Sequence, residues 1–375
     1  MLSCDYERST NPAYHHLMAV SDAQSITRGI VTRWRTLTGA SSVRDPDRPT
    51  LVALSGGADS SGLLIALSSI KPARIIAAHV RHDLRSKADR NNDAEAARRL
   101  AHKLGVEFHL VDVSVPTDQN QENAARSLRY EALSKIAADT GCQYVATAHH
   151  AEDQLETMLM ALTRGTGLAG LSGIAEARSI KQDGTLIRPA LRYTRAELQK
   201  LCDSLNWEPA HDATNEDITL ERAWFRSEIL PTLLDHTDAG FPDRLASLST
   251  LLRQSQHVVV SRARELAASA TINAGKAQLQ CELMIEEQPV VIGECLRILA
   301  ENLVGTEGAD ARGYKHLEPI IECIRSAPEH ARQFELRGLL VRVTRKTLEI
   351  SAHSPERTDS RSDTSRSSSE GSPEL

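Results

Sequence analysis

Residues Leu51-Val-Ala-Leu-Ser-Gly-Gly-Ala-Asp-Ser60 set the reading of the whole chain. Leu51 to Leu54 form an apolar run too short for a helix and suited to a buried strand. The glycines end it, and helical character follows from Leu63 to Ile70. The same alternation continues. Arg74 to Val80 reads as a second strand, Asp93 to Leu104 as an amphipathic helix closed by Gly105, and Val106 to Val113 as a third strand. Glu122 to Thr140 reads as a long helix closed by Gly141, and Tyr144 to Thr147 as a fourth strand. Strands joined by crossovers of helical length predict an α/β fold with a doubly wound parallel sheet.

Outward from this core the pattern changes. Residues 1–48 are polar and end in the turn-rich Arg44-Asp-Pro-Asp-Arg-Pro49, which predicts a loosely attached extension with a helix through Ile26 to Leu37. The catalytic domain is expected over 49–235 and a helical linker over 236–270, within a run of helices that starts at Arg195 and includes Arg244 to Ser269. A small α+β accessory domain is expected over 271–353, with a helix opening at Gly313-Tyr-Lys-His-Leu317 and a hairpin from Phe334 to Ile350. Residues 354–375 are Ser, Arg, Asp, Glu and Pro with almost nothing apolar, a composition that cannot offset ordering entropy.

Composition narrows the class. With 41% apolar residues in 375 the chain is globular and long enough for two or three cores. No run of about 18 apolar residues exists to span a bilayer and no secretory signal opens the chain, so a cytoplasmic protein without a membrane partner is expected. The six cysteines are scattered without a CxxC pair, which suits reduced thiols. A net charge of -6 gives no global attraction to phosphate, so any nucleic-acid contact must come from local basic surface.

Ser55-Gly-Gly-Ala-Asp-Ser60 lies at the carboxyl end of the first strand, where doubly wound sheets bind ligands. Gly56 and Gly57 allow close approach of a phosphate, while Ser55, Ser60 and the helix N-terminal amides, from Ala58 on, can donate hydrogen bonds to it. A carboxylate at Asp59 beside a polyphosphate calls for a divalent cation between them, making Asp59 the first candidate ligand for Mg²⁺. Taken alone, the segment is equally a capped strand-to-helix turn. Neither GxxxxGK[ST] nor GxGxxG is present.

Four more segments carry chemistry. His79-Val-Arg-His-Asp-Leu-Arg85 ends the second strand beside the loop, where adenine would lie against His79 and Val80. Arg126 and Arg129, three apart, share a helical face and one could reach phosphate. Ala148-His-His-Ala-Glu-Asp-Gln-Leu-Glu-Thr157 follows the fourth strand; with a helix starting near His149, residues His149, Asp153 and Glu156 fall on one face able to bind an ammonium group or Mg²⁺. The glycine-rich Arg164 to Gly173 is expected to end that helix and form a mobile segment over the site. Each has an ordinary alternative: a solvated helix face, a capped amphipathic helix, a passive loop.

Together with Arg188-Pro-Ala-Leu191, Asp212-Ala-Thr-Asn215 and Arg222-Ala-Trp-Phe-Arg226, these segments resemble the catalytic domain of the tRNA(Ile)-lysidine synthases, within the PP-loop ATP pyrophosphatases. The resemblance implies a ligase that uses ATP and Mg²⁺ to adenylate the C2 oxygen of the wobble cytidine of tRNA(Ile) with a CAU anticodon. Free L-lysine then displaces AMP to form lysidine, which moves codon specificity from AUG to AUA. It implies that Ser55 to Ser60 hold ATP with Asp59 toward metal, that Asp153 and Glu156 serve lysine and metal, and that His149 and Arg129 lie near the reacting centre. Arg337, Arg342, Arg345 and Lys346 of the hairpin offer contacts to tRNA phosphates, with a solvated strand face as the equally ordinary alternative, and a homodimer stays open.

The sequence departs from the family pattern at Ala223 and Trp224, where Arg222 to Arg226 replaces RNRIR, and it is expected to discriminate tRNA without the further terminal domain of longer relatives. A tRNA thiolase of the same superfamily is the nearest rival, and it would need site cysteines. A catalytically idle nucleotide-binding module is the other, and it would have no need of paired acids facing a phosphate loop. Read as a surface carboxamide swap, Asp153→Asn is expected to abolish turnover at little cost in stability.

Overall fold

The computed structural model describes residues 12–83, 87–116, 121–210, 220–304, 314–336 and 338–352. Contacts divide the chain after Gln256 into two units. The first opens with helix α1 (Pro12–Leu37), then β1 (Thr50–Ala53), α2 (Ala58–Ser68), β2 (Ile75–His82), α3 (Lys87–Leu104), β3 (Glu107–Val113), α4 (Gln121–Asp139) and β4 (Tyr144–Ala146). It continues through α5 (Ala151–Arg164), α6 (Gly167–Leu171), β5 (Ala177–Ser179), β6 (Thr185–Ile187), α7 (Arg195–Ser204), α8 (Leu220–Trp224), a π-helical turn (Phe225–Ile229), α9 (Leu230–Asp235) and α10 (Phe241–Ala268), the helix within which the division falls.

The six-stranded sheet has the order β3-β2-β1-β4-β6-β5. Its pairs are parallel except for edge strand β5, which runs antiparallel to β6. Consecutive strand residues alternate between two covered faces, so both residues of each step are apolar. Val52, Ala77, Ala146 and Ile187 join a core with α1, α2, α3 and α7, while Leu51, Ile76, Val145 and Leu186 join a core with α4. This two-sided burial is why the strands read as apolar runs. Helix α2 is caught between the sheet and α7, and a Cβ at Gly62 would lie 2.6 Å from the Leu198 carbonyl oxygen, so only glycine permits that approach.

The N-terminal expectation needs correction. From residue 21 onward α1 is not loosely attached: Ile26, Ile30, Val31 and Trp34 are buried in the core on the α2 face. Trp34 Nε1 donates to Thr50 Oγ1 at 3.0 Å. The polar turn that suggests an extension is closed by Arg48, which is fully buried, stacks on Trp34, and donates to the carbonyls of Arg35, Ala40 and Val43 and to Thr38 Oγ1. One buried guanidinium thus collects the carbonyls that this turn directs inward.

The second unit holds the end of α10, then β7 (Thr271–Asn273), β8 (Lys276–Gln280), α11 (Glu282–Ile285), α12 (Pro289–Val304), α13 (Tyr314–Ser326), β9 (Arg332–Leu336), β10 (Leu339–Val343) and β11 (Thr347–Ala352). The expected hairpin is part of a five-stranded antiparallel sheet, order β7-β8-β11-β10-β9. Ala277, Leu279, Val341, Val343, Leu348 and Ile350 pack on α12 and α13. Arg342, Arg345 and Lys346 are exposed, and Arg337 lies outside the described residues, as do residues 354–375 and Asp212 to Asn215.

Candidate active site

Loop 54–57 leaves β1 and turns into α2 with Gly56 at φ +97°, a conformation that side chains with a Cβ rarely adopt. A Cβ there would also lie 2.8 Å from the Asp93 carbonyl oxygen of α3. Both constraints require glycine at this position. The loop is knitted internally: Ser60 Oγ donates to the Gly57 carbonyl at 3.1 Å and lies 2.9 Å from Ser55 Oγ. Ser60 is therefore turned inward, and Ser55 with the amides opening α2 remain as donors toward a ligand.

In front of the loop lies a cavity of about 340 Å³. Of the residues singled out in the sequence, Ser55, Gly57, Asp59, Ser60, His79, Val80, Arg129, His149 and Asp153 line it, and Gly56, Ala58 and Glu156 do not. Arg81, His82, Arg90, Asp93, Arg126 and Tyr130 complete much of the wall and were given no site role from sequence, apart from Arg126. Arg81 and His82 end strand β2 and the other four lie on α3 and α4, whose sequences announce only an amphipathic pattern, so the signal that they converge lies in the fold.

Two of the three cavity histidines hold complementary roles. His79 Nδ1 donates to the Leu54 carbonyl at 2.8 Å, leaving Nε2 as acceptor. Burial, together with Arg129, Arg81 and His82 and against the Leu54 hydrogen bond, lowers its pKa. His149 Nδ1 accepts from Arg188 Nε at 3.3 Å and faces Thr147 Oγ1 at 2.9 Å, so the ring proton belongs on Nε2. Burial and Arg188 hold this ring neutral against the pull of Asp153. These two rings thus offer the cavity one imidazole acceptor and one imidazole donor.

His149 is not on the helix, which corrects the one-face expectation. Helix α5 begins at Ala151 because the Asp153 carboxylate accepts the His150 backbone N–H at 3.1 Å, capping the first turn. Asp153 is held below the usual carboxylate range: burial raises its pKa, and the charged His150, that N–H and Arg226 outweigh it. His150 joins three acids, with Nε2 3.6 Å from Asp59 and 3.5 Å from Asp153, and Nδ1 2.9 Å from Glu152. Burial opposes its charge, but Asp153, Asp59 and Glu152 carry the pKa up to about 10. The phosphate loop and the start of α5 are thereby drawn to one point.

Glu156, one turn further along, is removed from the cavity and 3% exposed. It pairs with Arg226 Nε at 2.5 Å and with Arg222 Nε at 3.2 Å, and Arg226 also lies 3.3 Å from Asp153. The two arginines that survive in the departed motif therefore meet the acids of α5. The glycine-rich segment also differs from expectation. Gly165 caps α5, α6 follows, and the Ser172 carbonyl accepts from Ser249 Oγ at 2.5 Å and Arg253 Nη2 at 2.8 Å, so this segment is tied to α10.

Comparison with known proteins defines the class. Residues 31–233 match the family model described as the PP-loop domain, so the chain belongs to the PP-loop family of ATP-using domains. The match begins within α1, ahead of the motifs at residue 49. Within that class the chain is similar to tRNA(Ile)-lysidine synthases. It is 34% identical to that of Nostoc sp. over 223 residues, 59% of this chain and 64% of the relative. It is 38% identical to that of Deinococcus deserti over 232 residues, 60% of this chain and 41% of the relative. The matches thus span less than two thirds of these relatives. Among solved structures, a U34-tRNA thiolase from Methanococcus maripaludis with its [4Fe-4S] cluster gives a TM-score of 0.49 at 19% identity, covering 61% of this chain and 80% of that one.

Proposed function

We propose that the chain ligates lysine to C2 of the wobble cytidine of tRNA(Ile) with a CAU anticodon, using ATP, to form lysidine. The carrying observation is that the phosphate loop and the acid–histidine start of α5 open onto one cavity rimmed by arginines. The cytidine O2 attacks the α-phosphorus of ATP and expels diphosphate, which turns a poor leaving oxygen into an AMP ester. The lysine ε-amine then attacks C2, the C2–O bond breaks, AMP departs with the oxygen, and the amine gives up its proton. Ser55 and the α2 amides would bind phosphate oxygens, His79 and Val80 the adenine, and Asp153 the incoming ammonium. His149 would donate from Nε2 to oxygen as charge develops, with Arg129 neutralising the phosphoryl group.

A divalent cation fits the residues present. Asp59 Oδ1 is buried without a hydrogen-bond partner, with Arg195 Nε 3.8 Å away, and Asp59 and Asp153 approach the same His150 nitrogen from different elements. Among the described residues no group of three His, Cys, Asp or Glu side chains could hold a metal by itself, so these two carboxylates would hold Mg²⁺ with phosphate oxygens completing its shell. Its chemistry would be charge neutralisation on the triphosphate. Glu156 takes a different part from the one expected, holding Arg222 and Arg226 rather than substrate.

The thiolase alternative meets a chemical obstacle. Among the described residues no cysteine lines the cavity, and burial together with Asp203 and Asp59 pushes the nearby Cys202 thiol up to about 12, far from the thiolate a sulfur carrier needs. The test is mass spectrometry of tRNA(Ile) after incubation with the chain, ATP and lysine. A modified wobble cytidine carrying the mass of lysine less water is expected; unmodified RNA with active ATP binding overturns the reading. Among the described residues no helix is long and apolar enough to cross a membrane.

A further inference from the structure

At the rim of the cavity the Tyr130 ring is contacted by two guanidiniums from separate elements: Arg126, one turn earlier on α4, at 5.5 Å from the ring centroid, and Arg178 of edge strand β5 at 4.8 Å. Both arginines are exposed, and among the described residues neither is ion-paired to a carboxylate. Glu131, next to Tyr130, is paired instead with Lys181 at 2.9 Å. Arg188 reaches the Tyr130 hydroxyl from the buried side, and burial first, then Arg178 and Arg126, lower its pKa. Two guanidiniums that are not ion-paired among the described residues are thus gathered about one phenol ring.

We propose that Arg126, Tyr130 and Arg178 form the docking subsite for the ribose–phosphate strand of the RNA substrate, beside the nucleotide whose base enters the cavity. The proposal rests on the reading that the substrate is RNA. A single Arg–Tyr pair at i and i+4 is ordinary decoration of a helix face. A second guanidinium brought to the same ring by another element adds like-charge repulsion, which an anion between them would relieve. A guanidinium stacked on a ring keeps its N–H edge free for bidentate contact with phosphate. The stack also leads away from the ATP loop: Arg126 and Tyr130 line the cavity and Arg178 does not, so it suits a chain of phosphodiesters passing the mouth rather than the triphosphate inside.

The test is fluorescence anisotropy of a labelled anticodon stem-loop of tRNA(Ile) on the full chain, at several salt concentrations, with ATP binding measured in parallel. Arg126→Ala and Arg178→Ala are each expected to weaken RNA binding about tenfold and to lower the salt slope by about 0.7 per lost contact, and Arg178→Ala, whose side chain does not line the cavity, is expected to leave ATP affinity unchanged. Arg178→Lys, which keeps charge without the planar stack, is expected between wild type and alanine. An unrelated stem-loop should show the same ratios, because phosphate contacts carry no sequence information. Unchanged RNA affinity and slope in folded variants, or an equal loss for ATP in Arg178→Ala, overturns the subsite and leaves the functional reading standing. A wild-type chain that binds no stem-loop RNA overturns both.

Discussion

Removing the charge of Glu156 tests whether this acid supports the site from behind. Its carboxylate is 4% exposed and meets Arg226, 37% exposed, at 2.5 Å. Two unit charges at about 4 Å attract by about 4 kcal/mol at an effective dielectric near 20, whereas exposed pairs measure only about 0.2–1 kcal/mol. With one partner buried and the other about a third exposed, a coupling near 2 kcal/mol follows. Urea unfolding of wild type, Glu156→Gln, Arg226→Ala and the double variant gives that coupling from the cycle. Glu156→Gln alone is expected to lower the melting midpoint of the unit over residues 1–256 by about 4–8 °C, at about 2–4 °C per kcal/mol. It should retain measurable turnover, since the side chain does not line the cavity. A coupling below about 0.5 kcal/mol, or a loss of turnover as complete as that of an Asp153 variant, would refute the reasoning.

Other consequences follow from the same geometry. Asp153→Asn is expected to lose at least about a hundredfold in turnover and, because the carboxylate caps α5 and faces His150 and Arg226, also about 1–2 kcal/mol of stability, more than a surface swap would cost; activity assays with chemical unfolding check both. Gly56→Ala should raise the Kd for ATP at least about tenfold and cost about 1–3 kcal/mol of stability, since a Cβ meets the Asp93 carbonyl at a left-handed φ; isothermal titration with ATP reads the affinity directly. Trp34→Ala should destabilise by about 3–5 kcal/mol, visible in thermal melts, because the ring is fully buried in the core. A Trp34→Ala protein of wild-type stability would restore the reading of α1 as an appendage.

The sheet was legible because each strand is covered on both faces, so Leu51-Val52 or Ile76-Ala77 reads as an unbroken apolar run ending in a turn. The phosphate loop was legible for a related reason, since its glycine at φ +97° admits few other residues. Local polarity misled at α1: the stripe Ile26, Ile30, Trp34 was available, but Arg48 looks like surface until the carbonyls it serves are known. Helix α5 starts two residues later than a start at His149 because the acid at its third position, Asp153, caps His150. Glu156 was beyond reach of sequence reasoning. Its partners Arg222 and Arg226 lie about seventy positions away, and only the packing of the π-helical turn against α5 reveals that its charge is already matched.

The central claim is that ATP and a cytidine oxygen meet in the cavity between the phosphate loop and α5. The most direct measurement uses tRNA(Ile) carrying a heavy-oxygen label at C2 of the wobble cytidine, incubated with the chain, ATP and lysine, with mass spectrometry of the nucleotide released. The account predicts that the label leaves the RNA and appears in AMP in proportion to the lysine incorporated. Label retained in the RNA, or AMP formed without it in the absence of lysine and tRNA, would contradict the account.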